Sequence, residues 1–156
     1  MSSSGPEQKA RNPRDLIHEI ENKLMEDAGR GIIGAPTKHT EIIKKTQAAR
    51  KALEGIEKMR EKRPNGLFGK ISDLMNRKKH AELARIVSDC LKSSGEAFVQ
   101  GATGAASMHP KESRDIKSVG NQAITMGIAI SKAIVSNERK TAAMELKKQT
   151  EKGGRG

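Results

Sequence analysis

Lys44, Lys51 and Lys58 recur every seven residues, and Lys62 follows four residues later. At about 100° per residue on a helix, these four ammonium groups fall on one stripe. Ammonium groups in a row bind the phosphates of a polyanion, with an affinity that depends on salt and hardly on sequence. Arg77-Lys78-Lys79, inside the run Asn76 to His80, is a second, denser basic cluster. It reads as a phosphate contact or as a short nuclear-import signal, set against a loop merely kept soluble by charge. Arg139, Lys140, Lys147, Lys148, Lys152 and Arg155 crowd the last part of the chain. They suit a basic arm that orders on nucleic acid, or equally a counter-charge to the negative end of a helix dipole.

An ordinary solvated helix face mixes signs. Residues 36–66 instead carry nine basic and four acidic side chains, and residues 131–156 carry seven basic and three acidic. Residues 1–35 run the other way, with five basic and six acidic. Over the whole chain, 30 Lys and Arg outweigh 19 Asp and Glu, for a net charge of +11. Such an excess attracts nucleic acid, an acidic membrane surface or an acidic protein.

Catalytic chemistry finds less support. The four histidines, His18, His39, His80 and His109, form no His-x-x-x-His pair and no ligand spacing with the single cysteine, so neither a metal nor a cofactor is expected. His18 with Glu19, Glu21 and Glu26 has the residue types of an acid–base group, but these side chains fall mostly on the polar face of their helix. Cys90 lies beside Val87 and Leu91 on an apolar face, where burial raises a thiol pKa instead of activating it. No Gly-x-Ser-x-Gly elbow occurs. The glycines of Gly29 to Pro36 lack the Gly-Lys-Ser/Thr and the preceding strand of a phosphate loop. A non-enzyme is expected.

The composition also limits the fold. There is no Trp or Tyr, and only Phe68 and Phe98 are aromatic. A core of Ile, Leu, Val, Met and Ala suits packed helices and argues against a β-sandwich or barrel. The same lack removes the base-stacking platforms of single-strand-binding folds. One cysteine forms no internal disulfide, which suggests an intracellular setting. No apolar run reaches the ~18 residues that span a bilayer, and the polar first residues resemble neither a secretory signal nor a lipidation site.

The elements that must hold these groups follow from periodicity. Asn12 as N-cap and Pro13 at the first helical position open a helix carrying Leu16, Ile17, Ile20, Leu24 and Ala28, with Gly29 as its left-handed stop. Residues 29–36 form a linker whose Ile32 and Ile33 dock on the core. A second helix runs from Thr37 or Thr40 to Arg63, with Ile42, Ala49, Leu53 and Ile56 on one face, and Pro64-Asn65-Gly66 closes it. A short helix with Phe68, Ile71, Leu74 and Met75 precedes the basic cluster. A longer helix with Leu83, Ile86, Val87, Cys90 and Leu91 follows; it either continues through Val99 or breaks near Ser93-Ser94-Gly95. Residues 101–107 are small and suit close packing or a loose loop. The last helix spans about Pro110 to Glu151, with a buried stripe at Ile116, Val119, Ala123, Gly127, Ile130 and Ile134. Its end, from Asn137 on, thins in apolar residues and projects. Gly120, Ala123 and Gly127 allow another helix to come close. Ile124 to Val135 is β-rich enough to admit a strand.

The sequence therefore predicts an all-α, compact bundle of four to six helices. Residues 12–150 form one domain or two subdomains (12–63 and 67–150), with disordered polar tails at 1–11 and 151–156. The leading function is a non-catalytic RNA- or ribonucleoprotein-associated factor. Its phosphate contacts would come from Lys44, Lys51, Lys58, Lys62, Arg77, Lys78, Lys79, Arg139, Lys140, Lys147 and Lys148. The alternatives are a self-assembling scaffold, paired head to tail by its acidic first helix or through the small-residue stripe of the last, and a membrane-surface protein. The partners implied are RNA or another polyanion, an acidic protein or nucleoprotein, and a second copy of the chain. The location implied is the cytoplasm, the nucleus or a virion. In size, charge and helicity the chain resembles small helical viral proteins that associate with ribonucleoprotein, such as matrix proteins and transcription cofactors; the resemblance transfers no residue.

Overall fold

A computed structural model describes residues 12–61 and 66–153, without the side chains of 68–75, 148 and 150–153. Four helices occupy these residues: α1 (Pro13–Asp27), α2 (Pro36–Glu61), α3 (Gly66–Ala105) and α4 (Pro110–Gly153). No strand occurs among the described residues, and the β-rich segment 124–135 is helical. The expected tail at 1–11 lies outside the described residues, whereas the expected tail at 151–156 is helical as far as Gly153. No helix among the described residues is long and apolar enough to cross a membrane.

α1 begins as its sequence dictates. Asn12 is extended (φ −99°, ψ 170°), and its Oδ1 accepts from the Asp15 N–H at 2.9 Å, satisfying one of the donors that every helix start leaves orphaned. The stop differs from expectation. The N–H groups of Arg30 and Gly31 both donate to the Asp27 carbonyl at 2.9 Å, and the residue with positive φ is Gly31 (+68°), not Gly29. The helix ends at Asp27, Ala28 keeps a right-handed conformation, and the chain turns left-handed at Gly31, where glycine carries no steric penalty.

α3 is one unbroken helix of 40 residues where the sequence suggested a short helix, a basic loop and a longer helix. Asn76 to His80 contains no Gly or Pro, and Arg and Lys propagate a helix well. Ser93, Ser94 and Gly95 do not break it either, because their smallness serves packing. Ser94 is fully buried, and a Cβ on Gly95 would lie 2.5 Å from the Gly120 carbonyl oxygen and 2.7 Å from Ile124 Cγ1.

The chain runs up and down. α1 and α2 are antiparallel, joined by Arg50 to Glu21 and Arg14 to Glu57. α2 and α3 are antiparallel through Gly55 beside Leu83 and Lys45 beside Ser93. α3 and α4 form the longest contact, with Gly95 against Gly120, Ser88 against Gly127, Arg85 against Glu138 and Arg77 against Thr141. The expected small-residue stripe of the last helix is thus filled by α3. Glycine on both sides lets the two backbones approach: a Cβ on Gly120 would lie 2.8 Å from the Gly95 oxygen, and one on Gly127 would lie 2.6 Å from Lys92 Cγ. Polar groups in this seam satisfy one another. Ser88 Oγ donates to the Gly127 carbonyl at 2.8 Å and meets Ser131 Oγ at 2.7 Å, and Lys92 Nζ donates to Ser131 Oγ at 3.0 Å.

One core takes residues from all four helices. Leu16, Ile17, Ile20 and Leu24 of α1 meet Ile42, Ala49 and Ala52 of α2, Val87, Leu91 and Phe98 of α3, and Ile116, Val119 and Ala123 of α4. Each large apolar side chain so buried stabilises the fold by about 1.5–3 kcal/mol. Ile32 and Ile33 join this core as the sequence predicts. They are held there by Asp27, a buried carboxylate whose oxygens accept the Ile32 and Ile33 N–H groups at 2.8 Å each and contact His39 Nε2 at 3.0 Å. The loop lies so close to α3 that Gly101 has no room for a side chain under the Ile32 carbonyl.

Candidate nucleic-acid interface

The core positions of α2 fix the direction of its lysines. Ile42, Thr46, Ala49 and Ala52 are buried, so Lys44, Lys51 and Lys58 emerge on the opposite side, and all three are exposed. Seven residues of α-helix rise about 10.5 Å, which makes this an evenly spaced row about 21 Å long. Lys62 lies outside the described residues.

The second group assembles from two helices distant in sequence. Arg77 Nη1 donates to Thr141 Oγ1 at 3.1 Å and approaches Met144 Sδ at 3.6 Å, while Arg85 pairs with Glu138 at 2.6 Å. These bonds lay the end of α4 along the start of α3. The expected projecting end therefore stays against α3 at least as far as Met144. The bonds also set Lys78 and Lys79 on turns facing those of Arg139 and Lys140. Lys78, Lys79, Arg139, Lys140 and Lys147 are exposed. The side chains of Lys148 and Lys152 and the whole of Arg155 lie outside the described ones.

Arg77 is exposed like Lys78 and Lys79, and it also bonds to the partner helix. It sits seven residues before Ala84 and fourteen before Leu91, on the stripe that α3 buries against α4, so its guanidinium turns toward the partner helix. It ties the basic end together and adds its own exposed charge there. Arg60 and His80 were not singled out from the sequence. Arg60 follows Ile56 by one turn on the inner stripe of α2, and its charge reaches His80 of α3. Burial, and then that charge, hold the His80 imidazole below its ordinary 6.5, so it is neutral at neutral pH.

The acidic side chains decide how positive these surfaces are. Among the described residues no ion pair involves Lys44, Lys51, Lys58, Lys78, Lys79, Arg139, Lys140 or Lys147. Glu61, Glu82 and Glu145 are exposed at the same end of the bundle. Glu57 and Glu138 are engaged by Arg14 and Arg85. The acidity of α1 is also spent internally. Arg50 holds Glu21 with its Nε at 3.1 and 3.2 Å from the two carboxylate oxygens and with a close Nη2 contact, and Lys23 lies 3.4 Å from Glu26. Burial alone would raise the Glu21 pKa, but hydrogen bonds from Arg50 and Thr46 and the nearby positive charges hold it below 4.5.

Groups with catalytic potential are placed differently. Cys90 is buried, and burial pushes its thiol up to about 11 against the opposing Ser94 hydrogen bond. It borders an open cleft of about 510 Å³ between α2 and α3, where Lys45 and Lys92 mix with Asp89 and Glu96. His18 and Glu26 are exposed on α1. No group of three metal-ligating side chains gathers among the described residues. Asp27 and His39 form a carboxylate–imidazole contact that closes a loop.

Comparison with models of known protein families, with curated proteins and with solved structures found no match.

Proposed function

We propose that this is a non-catalytic, polyanion-binding protein that associates with RNA or ribonucleoprotein through the phosphates. Two basic surfaces supply the contacts. One is the outer row of α2, and the other is the paired ends of α3 and α4. The observation that carries the proposal is the Arg77–Thr141 bond, because it gathers two basic clusters 60 residues apart in sequence into one surface. Exposed lysines without internal carboxylate partners lose little on meeting a phosphate, and displaced counterions make the binding favourable. Partners of this kind are met in the cytoplasm, the nucleus or a virion.

The test is RNA affinity by fluorescence anisotropy at low salt. A variant reversing Lys51, Lys58, Lys78 and Lys79 to Glu should retain the helical circular dichroism and lose binding. Unchanged affinity would remove these surfaces from the account.

The self-assembly alternative finds less support. The small-residue stripe of α4 is covered by α3, and much of the acidic charge of α1 is paired within the chain. A membrane-surface role is favoured by one observation: Leu67 and Met144 are 71% and 45% exposed at the basic end. Large apolar anchors next to lysines suit an anionic bilayer. Flotation with anionic against neutral vesicles tests it, with co-flotation on anionic vesicles alone as the positive result.

A further inference from the structure

We infer that the nucleic acid taken by these surfaces is double-stranded. The inference rests on the proposed function and narrows it to a substrate class.

Proteins that hold single strands combine a basic track with aromatic side chains on which successive bases stack, at about 1–3 kcal/mol per base. This chain has neither Trp nor Tyr. Phe98 is fully buried in the core, which leaves Phe68 as the only other phenyl ring, and one ring serves one base at a time. Arg77, whose guanidinium plane could substitute for a ring, is held by Thr141 and Met144. Without a row of such rings, a single strand would be gripped mainly by charge.

Charge alone favours the duplex. Double-stranded nucleic acid presents one phosphate per about 1.7 Å of axis, against about 3.4 Å for each strand. Along the ~21 Å from Lys44 to Lys58, a duplex offers about twelve phosphates and one strand about six. The row is also rigid, because the buried residues Ile42, Thr46, Ala49 and Ala52 lock α2 onto the core. A stiff cylinder meets a fixed ladder of cations without rearrangement. A flexible strand must first be straightened, at a cost in conformational entropy.

The experiment uses the full chain and competition anisotropy over a range of salt. The competitors are an RNA duplex, a DNA duplex and an unstructured single-stranded RNA, all with equal numbers of phosphates. The duplexes should compete at least about tenfold better than the single strand, with the steeper salt slope of double-stranded polymers. The variant Lys44→Gln, Lys51→Gln, Lys58→Gln changes exposed side chains only, and should lower the duplex slope by about three. If one duplex is preferred over the other, the class stands and the source is assigned to RNA or DNA. If the single strand binds as well as the duplexes or better, the inference is overturned while polyanion binding stands. If none of the three binds at low salt, the proposed function falls as well.

Discussion

Arg77 near the start of α3 donates to Thr141 near the end of α4 at 3.1 Å, joining two basic clusters that no local pattern connects. The proposed polyanion binding depends on this junction. It turns two runs of charge into one surface and leaves the flanking Lys78, Lys79, Arg139 and Lys140 facing solvent.

His80 lies one turn from Arg77 and should make the proposed binding pH-dependent. Burial and the Arg60 charge hold it below its ordinary 6.5. A bound phosphate would offset Arg60 and favour the imidazolium, so binding takes up a proton. Polyanion affinity should therefore rise as pH falls below about 6.5, and His80→Ala should flatten that rise. Identical profiles for the two proteins would remove His80 from the surface.

The Glu21–Arg50 pair makes a contribution to stability that acid removes. The folded pKa of Glu21 lies below the ordinary 4.5, so the unfolded chain binds the extra proton. The contribution is complete above that value and fades as pH falls toward the lower folded one. Urea unfolding should find Glu21→Gln less stable than the parent at pH 7, with the gap closing below pH 4.5. A gap that persists unchanged in acid would rule this pairing out as its source.

Helix spacing between α3 and α4 is set by glycine. Gly95→Ala puts a methyl 2.5 Å from the Gly120 oxygen. Overpacking of this kind costs about 1–3 kcal/mol. Because the obstacle is backbone, the ~1 kcal/mol that alanine gains in helix propensity should not rescue it. Gly104→Ala, also in α3, meets nothing within 4 Å and should stabilise by up to about 1 kcal/mol. Thermal melts should therefore move in opposite directions, by roughly 2–4 °C per kcal/mol. Equal shifts would contradict the packing described.

Asp27 closes the α1–α2 turn from inside. Asp27→Ala strips the acceptors from the buried N–H groups of Ile32 and Ile33. Each unsatisfied donor costs about 1–3 kcal/mol, so a loss of ~2–5 kcal/mol is expected in chemical unfolding, with Asp27→Asn intermediate. A change below ~0.5 kcal/mol would mean that water satisfies the loop.

The helical class and most buried positions were legible in the sequence because they follow local periodicity. Asn12 and Pro13 mark their helix start, and Ile116, Val119, Ala123 and Ile134 lie on the buried stripe that their spacing implies. The misreadings concern residues with two meanings. Ser93-Ser94-Gly95 has the composition of a break, yet its smallness answers Gly120 on another helix, which no local window reveals. Arg77 has two roles of this kind: it is exposed with its cluster, and its spacing of seven from Ala84, Leu91 and Phe98 also brings it beside α4. Asp27 was hidden for another reason. A buried carboxylate is explained only by the two N–H groups and the histidine that fold back on it, five to twelve residues away.

Lysine-reactivity footprinting by mass spectrometry, with and without bound duplex RNA, tests the interface most directly. Lys44, Lys51, Lys58, Lys78, Lys79, Lys140 and Lys147 should be protected, while Lys111 and Lys117 at the opposite end of α4 keep their reactivity. Protection at Lys111 and Lys117 with the α2 row and the α3–α4 end left reactive would contradict the account.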